Sequence, residues 1–155
     1  MHETLRNLGI VAPLDTKTLV LVIHEIGGDV AFGNVPKHVV TRNGSRFCLT
    51  IPKEPEGFTG SRAWTNHHLL MGLLDALVRH GYRTDAKRWE RGIPITGILN
   101  TWDLYCELAM PEGMFREQAG ILSLEQMSDY FGVPVTDVEA RAVQLGLKQS
   151  RYKRY

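Results

Sequence analysis

The stretch LSLEQMSDYFGVPVTDVEARAVQLGL, residues 122–147, decides the fold of the carboxyl-terminal part of the chain. It contains two pairs of polar residues spaced three positions apart: Ser123 with Gln126, and Thr136 with Glu139. Both pairs fit the capping box, in which two side chains satisfy backbone N–H groups that a helix start leaves unpaired. The stretch therefore predicts two helices, each with its own start signal.

The same stretch carries two stop signals. Gly132 suits the left-handed backbone that ends many helices, and Pro134 behind it cannot continue a helix. Gly146 followed by Leu147 is the pattern of a Schellman stop, in which the residue after the glycine folds back as an apolar contact. Two capped helices joined by about four residues have the outline of a helix-turn-helix.

This segment resembles the helix-turn-helix modules of small bacterial and phage regulators, in which the pattern xxIAxxLGVxxxxVxxRAxxLGL occurs. The matching positions are Met127, Phe131, Gly132, Val133, Val138, Arg141, Ala142, Leu145, Gly146 and Leu147. The sequence departs from the pattern at Met127 and Ser128, where the family has a small pair, and at Pro134 in the turn. The resemblance implies a nucleic-acid-binding regulator whose second helix is the recognition element.

Composition places limits on the rest of the chain. A length of 155 residues predicts one domain, or one domain with a small appendage, and the net charge of +1 excludes a strongly basic coating protein. Cys48 and Cys106 are far apart, which favours free thiols and a reduced, cytoplasmic setting. No signal peptide is recognisable, and the longest apolar run, residues 19–23, is too short for a bilayer, so no membrane association is expected.

Two segments of the first half have strand composition. Residues 18–26, TLVLVIHEI, are β-branched and apolar and predict a buried strand. Residues 37–51, KHVVTRNGSRFCLTI, predict a β-hairpin, because two alternating runs flank Asn43-Gly44, a pair that suits a type I′ turn. One face would carry Val39 and Thr41 with Phe47 and Leu49, or the alternate residues.

Helices are predicted further along the chain. Thr65 fits the N-cap of a helix over residues 66–80, whose leucines recur at helical spacing, at positions 69, 73 and 77. A short polar helix at 85–91 and another helix at 98–110 follow. The sequence thus predicts an α+β fold: a small antiparallel sheet with a β-hairpin packed by helices in a body, residues 1–110, and a helix-turn-helix with a basic tail, residues 114–155. The PEG at 111–113 is the expected boundary.

No residue pattern indicates a catalytic centre, a metal site or a cofactor. His24-Glu25 lacks the second histidine of a zinc-peptidase motif, and the adjacent His67 and His68 point in different directions on a helix. The acids Asp29, Asp75, Asp85 and Asp103 could build a metal-dependent nuclease only if the fold brought them together. We therefore expect no catalytic residue, no metal and no cofactor, with a small nuclease as the second alternative.

The expected binding residues are basic or can contact bases. Arginines and lysines at this density suit phosphates, and tyrosines can stack on bases. In the second helix of the module, Arg141 and Gln144 share one face, which is expected to point outward. The full set is Arg83, Lys87, Arg88, Arg141, Gln144, Lys148, Arg151, Tyr152, Lys153 and Arg154.

Acidic residues in the module argue for a different partner. Residues 114–147 carry a net charge of −3, and Asp137 with Glu139 begins the second helix, where a DNA-reading helix meets base edges. The leading hypothesis is a non-enzymatic nucleic-acid-binding regulator of phage or mobile-element type, with DNA as the partner. The first alternative is a protein-binding inhibitor or adaptor, such as a phage protein that blocks a host enzyme, which uses the module for docking or for a homodimer.

Overall fold

Three strands and six helices make up the part of the chain that the computed structural model describes, residues 10–53, 61–79 and 101–147. In chain order these are α1 (Thr16–Glu25), β1 (Gly28–Gly33), β2 (Val39–Asn43), β3 (Arg46–Pro52), α2 (Ser61–Leu74), α3 (Thr101–Ala109), α4 (Glu112–Ala119), α5 (Leu124–Phe131) and α6 (Val135–Gln144). A π-helical turn, Asp75–Arg79, continues α2. The predicted α+β class is confirmed.

The strand predicted at residues 18–26 is wrong, because this segment forms helix α1. Asp15 caps the helix by accepting hydrogen bonds from the backbone N–H and the hydroxyl of Thr18, at 3.0 and 2.9 Å. The apolar residues of the segment also have helical spacing: Leu19, Val22, Ile23 and Ile26 are buried, whereas Leu21 is 55% exposed. Packing of this stripe outweighs the weak strand preference of β-branched residues.

The sheet is mixed rather than purely antiparallel. Its strand order is β1-β3-β2, with β1 parallel to β3 and β2 antiparallel to β3. The β1 strand begins at Gly28, two residues after the segment that is predicted to be a strand. Since β1 is followed in the chain by β2 but pairs with β3, the hairpin places its second strand in the centre of the sheet.

The predicted hairpin is confirmed, but its turn lies one residue further along. Asn43 pairs with Arg46, so the two loop residues are Gly44 and Ser45. Only Gly44 has positive φ, +66°, which is the pattern of a type II′ turn rather than type I′. The resulting register puts Val40 opposite Leu49 on the core side.

The buried face of the sheet does not combine Val39 and Thr41 with Phe47 and Leu49. On β3, Phe47, Leu49 and Ile51 are buried, whereas on β2 Val39 and Thr41 are exposed on the opposite face. The inner face packs against α1 and α2, the two helices that lie over the sheet. These contacts form the centre of the core.

Helix α2 is the central helix of the fold. The predicted leucine stripe at positions 69, 73 and 77 is buried, with Leu77 in the π-helical turn, and so are the leucines at 70 and 74. The helix begins at Ser61, so Thr65 lies within it rather than at its N-cap. Gly72 faces Leu49 so closely that a Cβ would overlap the leucine side chain, which explains why the sheet and the helix can approach each other here.

Helix α3 corresponds to the helix predicted over residues 98–110, of which 98–100 lie outside the described residues. The predicted helix at 85–91 lies wholly outside them. Pro111 ends α3, but residues 112 and 113 already belong to α4, a helix that the sequence pattern did not reveal. Its start lacks a side-chain cap, which removes the usual sequence signal.

Helices α5 and α6 form the predicted helix pair. Ser123 and Gln126 make both hydrogen bonds of the capping box, at 3.2 and 2.9 Å, and Gly132 ends α5 with φ +72°. The Schellman stop is present as well: the Leu147 N–H donates to Ala142 O at 2.9 Å and the Gly146 N–H to Val143 O at 3.0 Å. The second capping box, Thr136 with Glu139, is wrong, because α6 begins earlier, after Pro134, without a side-chain cap.

Buried side chains from both sides of residues 111–113 belong to one apolar cluster. Hydrogen bonds also join residues before this segment to residues after it: Asn66 Nδ2 donates to Gly132 O at 2.8 Å, and Leu14 N donates to Phe131 O at 3.1 Å. The boundary between residues 1–110 and 114–155 stays a prediction.

Within residues 10–53, 61–79 and 101–147, no helix combines the length and the apolar character that a bilayer crossing requires.

Candidate functional site

The outward orientation predicted for Arg141 is wrong. Arg141 and Asp137 are buried, with 2% and 6% of their surface exposed. Of the two α6 residues predicted to point outward, only Gln144 is exposed, and Val138 and Ala142 are buried together with Arg141. Arg141 reaches the end of α3, and Asp137 reaches α2 and α3, so neither side chain points to solvent.

Arg141 connects α6 to the end of α3. Its Nε donates to Met110 O at 3.0 Å, and its Nη1 donates to Gln144 Oε1 at 2.6 Å. Nη2 lies 3.9 Å from Glu107 Oε1, too far for a hydrogen bond, and has no other acceptor among the described residues. A guanidinium in this position stabilises the packing of α6 against the end of α3. It cannot contact a base edge without leaving the core.

Gln144 lies at the exposed end of the same network. Its Nε2 donates to Asp103 Oδ1 at 3.0 Å while its Oε1 accepts from Arg141. Both polar atoms of the amide are thus engaged with the protein. Its role in base recognition stays a prediction, and binding would have to displace at least one of these bonds.

The outward surface of α5 and α6 is acidic. Arg141 is the only arginine or lysine in these two helices, and it is buried. The exposed charges of these helices are carboxylates, and two of their large apolar side chains are exposed as well, Tyr130 at 37% and Val143 at 55%. The residues of this acidic surface are Glu125, Asp129, Tyr130, Glu139 and Val143.

The remaining predicted binding residues belong to two basic segments, one after α2 and one after α6. Arg83, Lys87, Arg88, Lys148, Arg151, Tyr152, Lys153 and Arg154 all lie outside the described residues. The basic character of the tail and of the segment after α2 therefore stays a feature of the sequence.

A second group of polar residues, which the sequence pattern had not brought together, lies where the hairpin meets α2. His38 precedes β2, and its Nε2 is 2.6 Å from Asp75 Oδ2 at the start of the π-helical turn. Its other ring nitrogen, Nδ1, is 3.4 Å from Nδ1 of His68 on α2. The side chains of His38 and Asp75 are only 10% and 12% exposed, so the pair is largely shielded from water.

The neighbouring His67 makes a similar contact with a carboxylate. Its Nδ1 is 2.6 Å from Asp137 Oδ2, which also accepts the hydroxyl of Tyr105 at 2.6 Å. Asp137 lies in the first turn of α6, where the helix dipole favours negative charge. The carboxylate therefore joins α2, α3 and α6 through one oxygen atom. Together, His38, His67, His68, Asp75, Asp137 and Tyr105 form the histidine cluster.

Burial shifts the titration of two members of the histidine cluster. Loss of water, together with the neighbouring imidazoles of His67 and His38, lowers the pKa of His68 from 6.5 to about 4. Burial and the adjacent Asp137 carboxylate raise the pKa of the Tyr105 hydroxyl well above 10. His68 is therefore a neutral imidazole and Tyr105 a neutral hydrogen-bond donor at pH 7.

Aromatic contacts hold the histidine rings in place. Trp64, 36% exposed, lies one turn before His67 and His68, with ring centroids 5.3 and 6.0 Å away. The His67 ring also packs edge-on against Tyr105 at 5.2 Å. Ring packing of this kind fixes imidazole orientations that isolated hydrogen bonds would leave free.

The acids proposed for a nuclease do not converge. Asp29 binds Arg46 at the edge of the sheet, Asp75 binds His38, and Asp103 accepts from Gln144; Asp85 lies outside the described residues. Across the described ranges, no three side chains of histidine, cysteine, aspartate or glutamate are arranged as a metal site. The nuclease alternative gains no geometric support.

Sequence reasoning missed the histidine cluster for a definite reason. His38, His67 and Asp137 are separated by dozens of residues, and no local spacing relates them. The only local signal was the adjacent pair at positions 67 and 68, which looked like ordinary polar residues of a first helical turn. Their partners became visible only once α6 was placed beside α2.

Comparison with known proteins identifies no relative. No protein-family model, no curated protein and no solved structure matches this chain. The arguments about function therefore rest on the residues and their geometry.

Proposed function

We propose that the protein is a non-enzymatic, cytoplasmic regulator or adaptor that binds a protein partner through the acidic surface of α5 and α6. The observation that carries the proposal is the burial of Arg141, which leaves α5 and α6 themselves with exposed carboxylates and apolar side chains and with no exposed arginine or lysine of their own. Phosphate backbones would be repelled by such a surface.

The spacing of the exposed residues indicates the chemistry of the partner. Glu125 and Asp129 are four apart on α5, and Glu139 and Val143 are four apart on α6, so each helix presents its pair on one face. Opposite charges surrounding an apolar contact are typical of protein interfaces, in which charge steers the encounter and apolar area stabilises the complex. The expected partner surface has lysines or arginines around a small apolar pocket.

A site-specific crosslink tests the proposal. With p-benzoylphenylalanine at position 143, illumination in host cells should give one major protein adduct. Reversing two charges, Asp129→Lys and Glu139→Lys, should weaken binding of that partner, after purification, by at least tenfold at low salt. Glu117→Lys on α4 is the matched control, since it makes a charge change of the same kind outside the acidic surface. Equal binding by the double variant would refute the proposal.

Nucleic-acid binding is the second candidate, and one feature of the sequence favours it. Residues 148–155 contain four cations and two tyrosines immediately after the helix pair. If the tail binds DNA or RNA, its removal should reduce the slope of log affinity against log salt by up to about 3–4. Removal of the tail should leave the protein crosslink at position 143 unchanged, which separates the two functions.

A further inference from the structure

We propose that the contact between His38 and His68 is an acid-sensitive switch, which holds the start of β2 on α2 near neutral pH and opens when both imidazoles are protonated. Their Nδ1 atoms are joined by a hydrogen bond of 3.4 Å, and the His38 side chain is only 10% exposed. The switch is independent of the protein-binding function proposed above, because it concerns the hairpin and α2.

The contact tolerates one added proton but not two. Nε2 of His38 lies 2.6 Å from the Asp75 carboxylate, so this nitrogen carries a hydrogen in both the neutral and the protonated ring. When both rings are neutral, Nδ1 of His38 accepts from His68; when His38 is protonated, its Nδ1 donates to a neutral His68. Once both rings are protonated, each Nδ1 carries a hydrogen, and no lone pair remains between them. Two like charges then replace the hydrogen bond.

The described surroundings of the pair do not compensate a second positive charge. Their titratable groups come from four elements and belong to the histidine cluster: His38 before β2, His67 and Asp75 on α2 and its π-helical turn, Tyr105 on α3, and Asp137 on α6. Each of the two carboxylates already contacts an imidazole, Asp75 that of His38 and Asp137 that of His67. The recorded hydrogen bond of His68 is to an imidazole, so its protonated form would face two neighbouring imidazoles, with ring centroids at 5.0 and 5.6 Å.

The titration of His68 agrees with this geometry. Burial, followed by the charges of His67 and His38, lowers its pKa from 6.5 to about 4. A histidine whose pKa is lower in the closed contact than in the open one binds protons more tightly after opening, so acid favours the open form. With an ordinary imidazole in the open form, the ratio of open to closed molecules rises about 20-fold from pH 7 to pH 5.

The segment that opening would release is β2. This strand lies at an edge of the sheet and pairs with β3 on one side, and its Val39 and Thr41 are exposed. His38, directly before β2, attaches the start of the strand to α2 through His68 and Asp75. Segments with few buried side chains open locally at lower cost than the core. Acid should therefore loosen β2 before it unfolds the protein.

The test is amide hydrogen exchange of the full-length protein, measured by NMR at pH 7 and pH 5 and corrected for the pH dependence of intrinsic exchange. We expect protection of the β2 amides that bond to β3 to fall about 20-fold. Amides of α4, which contains no residue of the histidine cluster, should change by less than about threefold. Imidazole ¹⁵N shifts from the same samples should show both rings becoming doubly protonated as protection falls.

His68→Asn is the decisive variant, since an amide keeps a hydrogen-bonding atom near the Nδ1 position and does not titrate. Its β2 protection should be similar at pH 7 and pH 5. His24→Asn is the matched control: His24 is 50% exposed and lies 3.8 Å from Asp29 on β1, the opposite edge strand, so this variant should keep the pH dependence of the wild type.

Three results would overturn the proposal. One is a wild-type pH dependence in folded His68→Asn, and another is an equal loss of protection in β2 and α4. The third needs no variant and applies even if His68→Asn does not fold: both imidazoles doubly protonated in the wild type while β2 protection stays unchanged.

Discussion

Replacing Arg141 with alanine tests the placement of α6 most directly. The change leaves the Met110 carbonyl, in a residue with no exposed surface, without its donor, which costs about 1–3 kcal/mol. It also removes two buried methylene groups of the stem, worth about 0.8 kcal/mol each. Relief of the unpaired Nη2 offsets part of this loss. We expect a net destabilisation of about 2–3 kcal/mol.

The assay is urea unfolding followed by tryptophan fluorescence, supported by thermal melting. A loss of 2–3 kcal/mol corresponds to a fall in Tm of about 5–10 °C for a chain of this length. Arg141→Met, which retains much of the stem and removes the unpaired nitrogen, should lose only about 1 kcal/mol.

Arg116 is the matched control because it is an exposed arginine that, like Arg141, donates to a backbone carbonyl, that of Leu145, and to the side chain of another residue, Glu112. Its change to alanine should cost less than about 1 kcal/mol, as is usual for surface ion pairs. If the two alanine variants unfold within 0.5 kcal/mol of each other, Arg141 is not buried as described, and the outward orientation deduced from the helix-turn-helix pattern would be restored.

Three further predictions concern the contacts around the helix pair and the histidine cluster. Gly132→Ala should destabilise more than Gly146→Ala in urea unfolding, since both have positive φ but only at position 132 would a Cβ meet a backbone carbonyl oxygen, at 2.9 Å; equal losses would contradict this. Tyr105→Phe should cost about 1–2 kcal/mol by removing the hydroxyl donor to Asp137, and an unchanged urea midpoint would show that this bond contributes nothing. Because the folded-state pKa of His68 lies below its unfolded value, the unfolded chain binds the proton first, so stability should be full above about pH 6.5 and fall toward pH 4; in His68→Asn this part of the fall should be absent, and an identical pH profile would refute it.

The sequence by itself determined the elements whose signals are local. The capping box at Ser123, the left-handed stops at Gly132 and Gly146, and the hairpin around Gly44 all depend on hydrogen bonds or φ angles within a few residues. The leucine stripe of α2 was equally clear, because helical periodicity reflects burial directly. The α+β class followed from these elements.

Tertiary structure alone decided the identity of α1, the order of strands and the orientation of α6. Residues 18–26 satisfy both strand composition and helical spacing, and packing on the sheet resolves the ambiguity. The burial of Arg141 depends on a carbonyl thirty-one residues away, at the end of α3. The histidine cluster depends likewise on the packing of α2 against α6 and the hairpin. Such contacts join distant parts of the chain, so no spacing within the sequence could have predicted them.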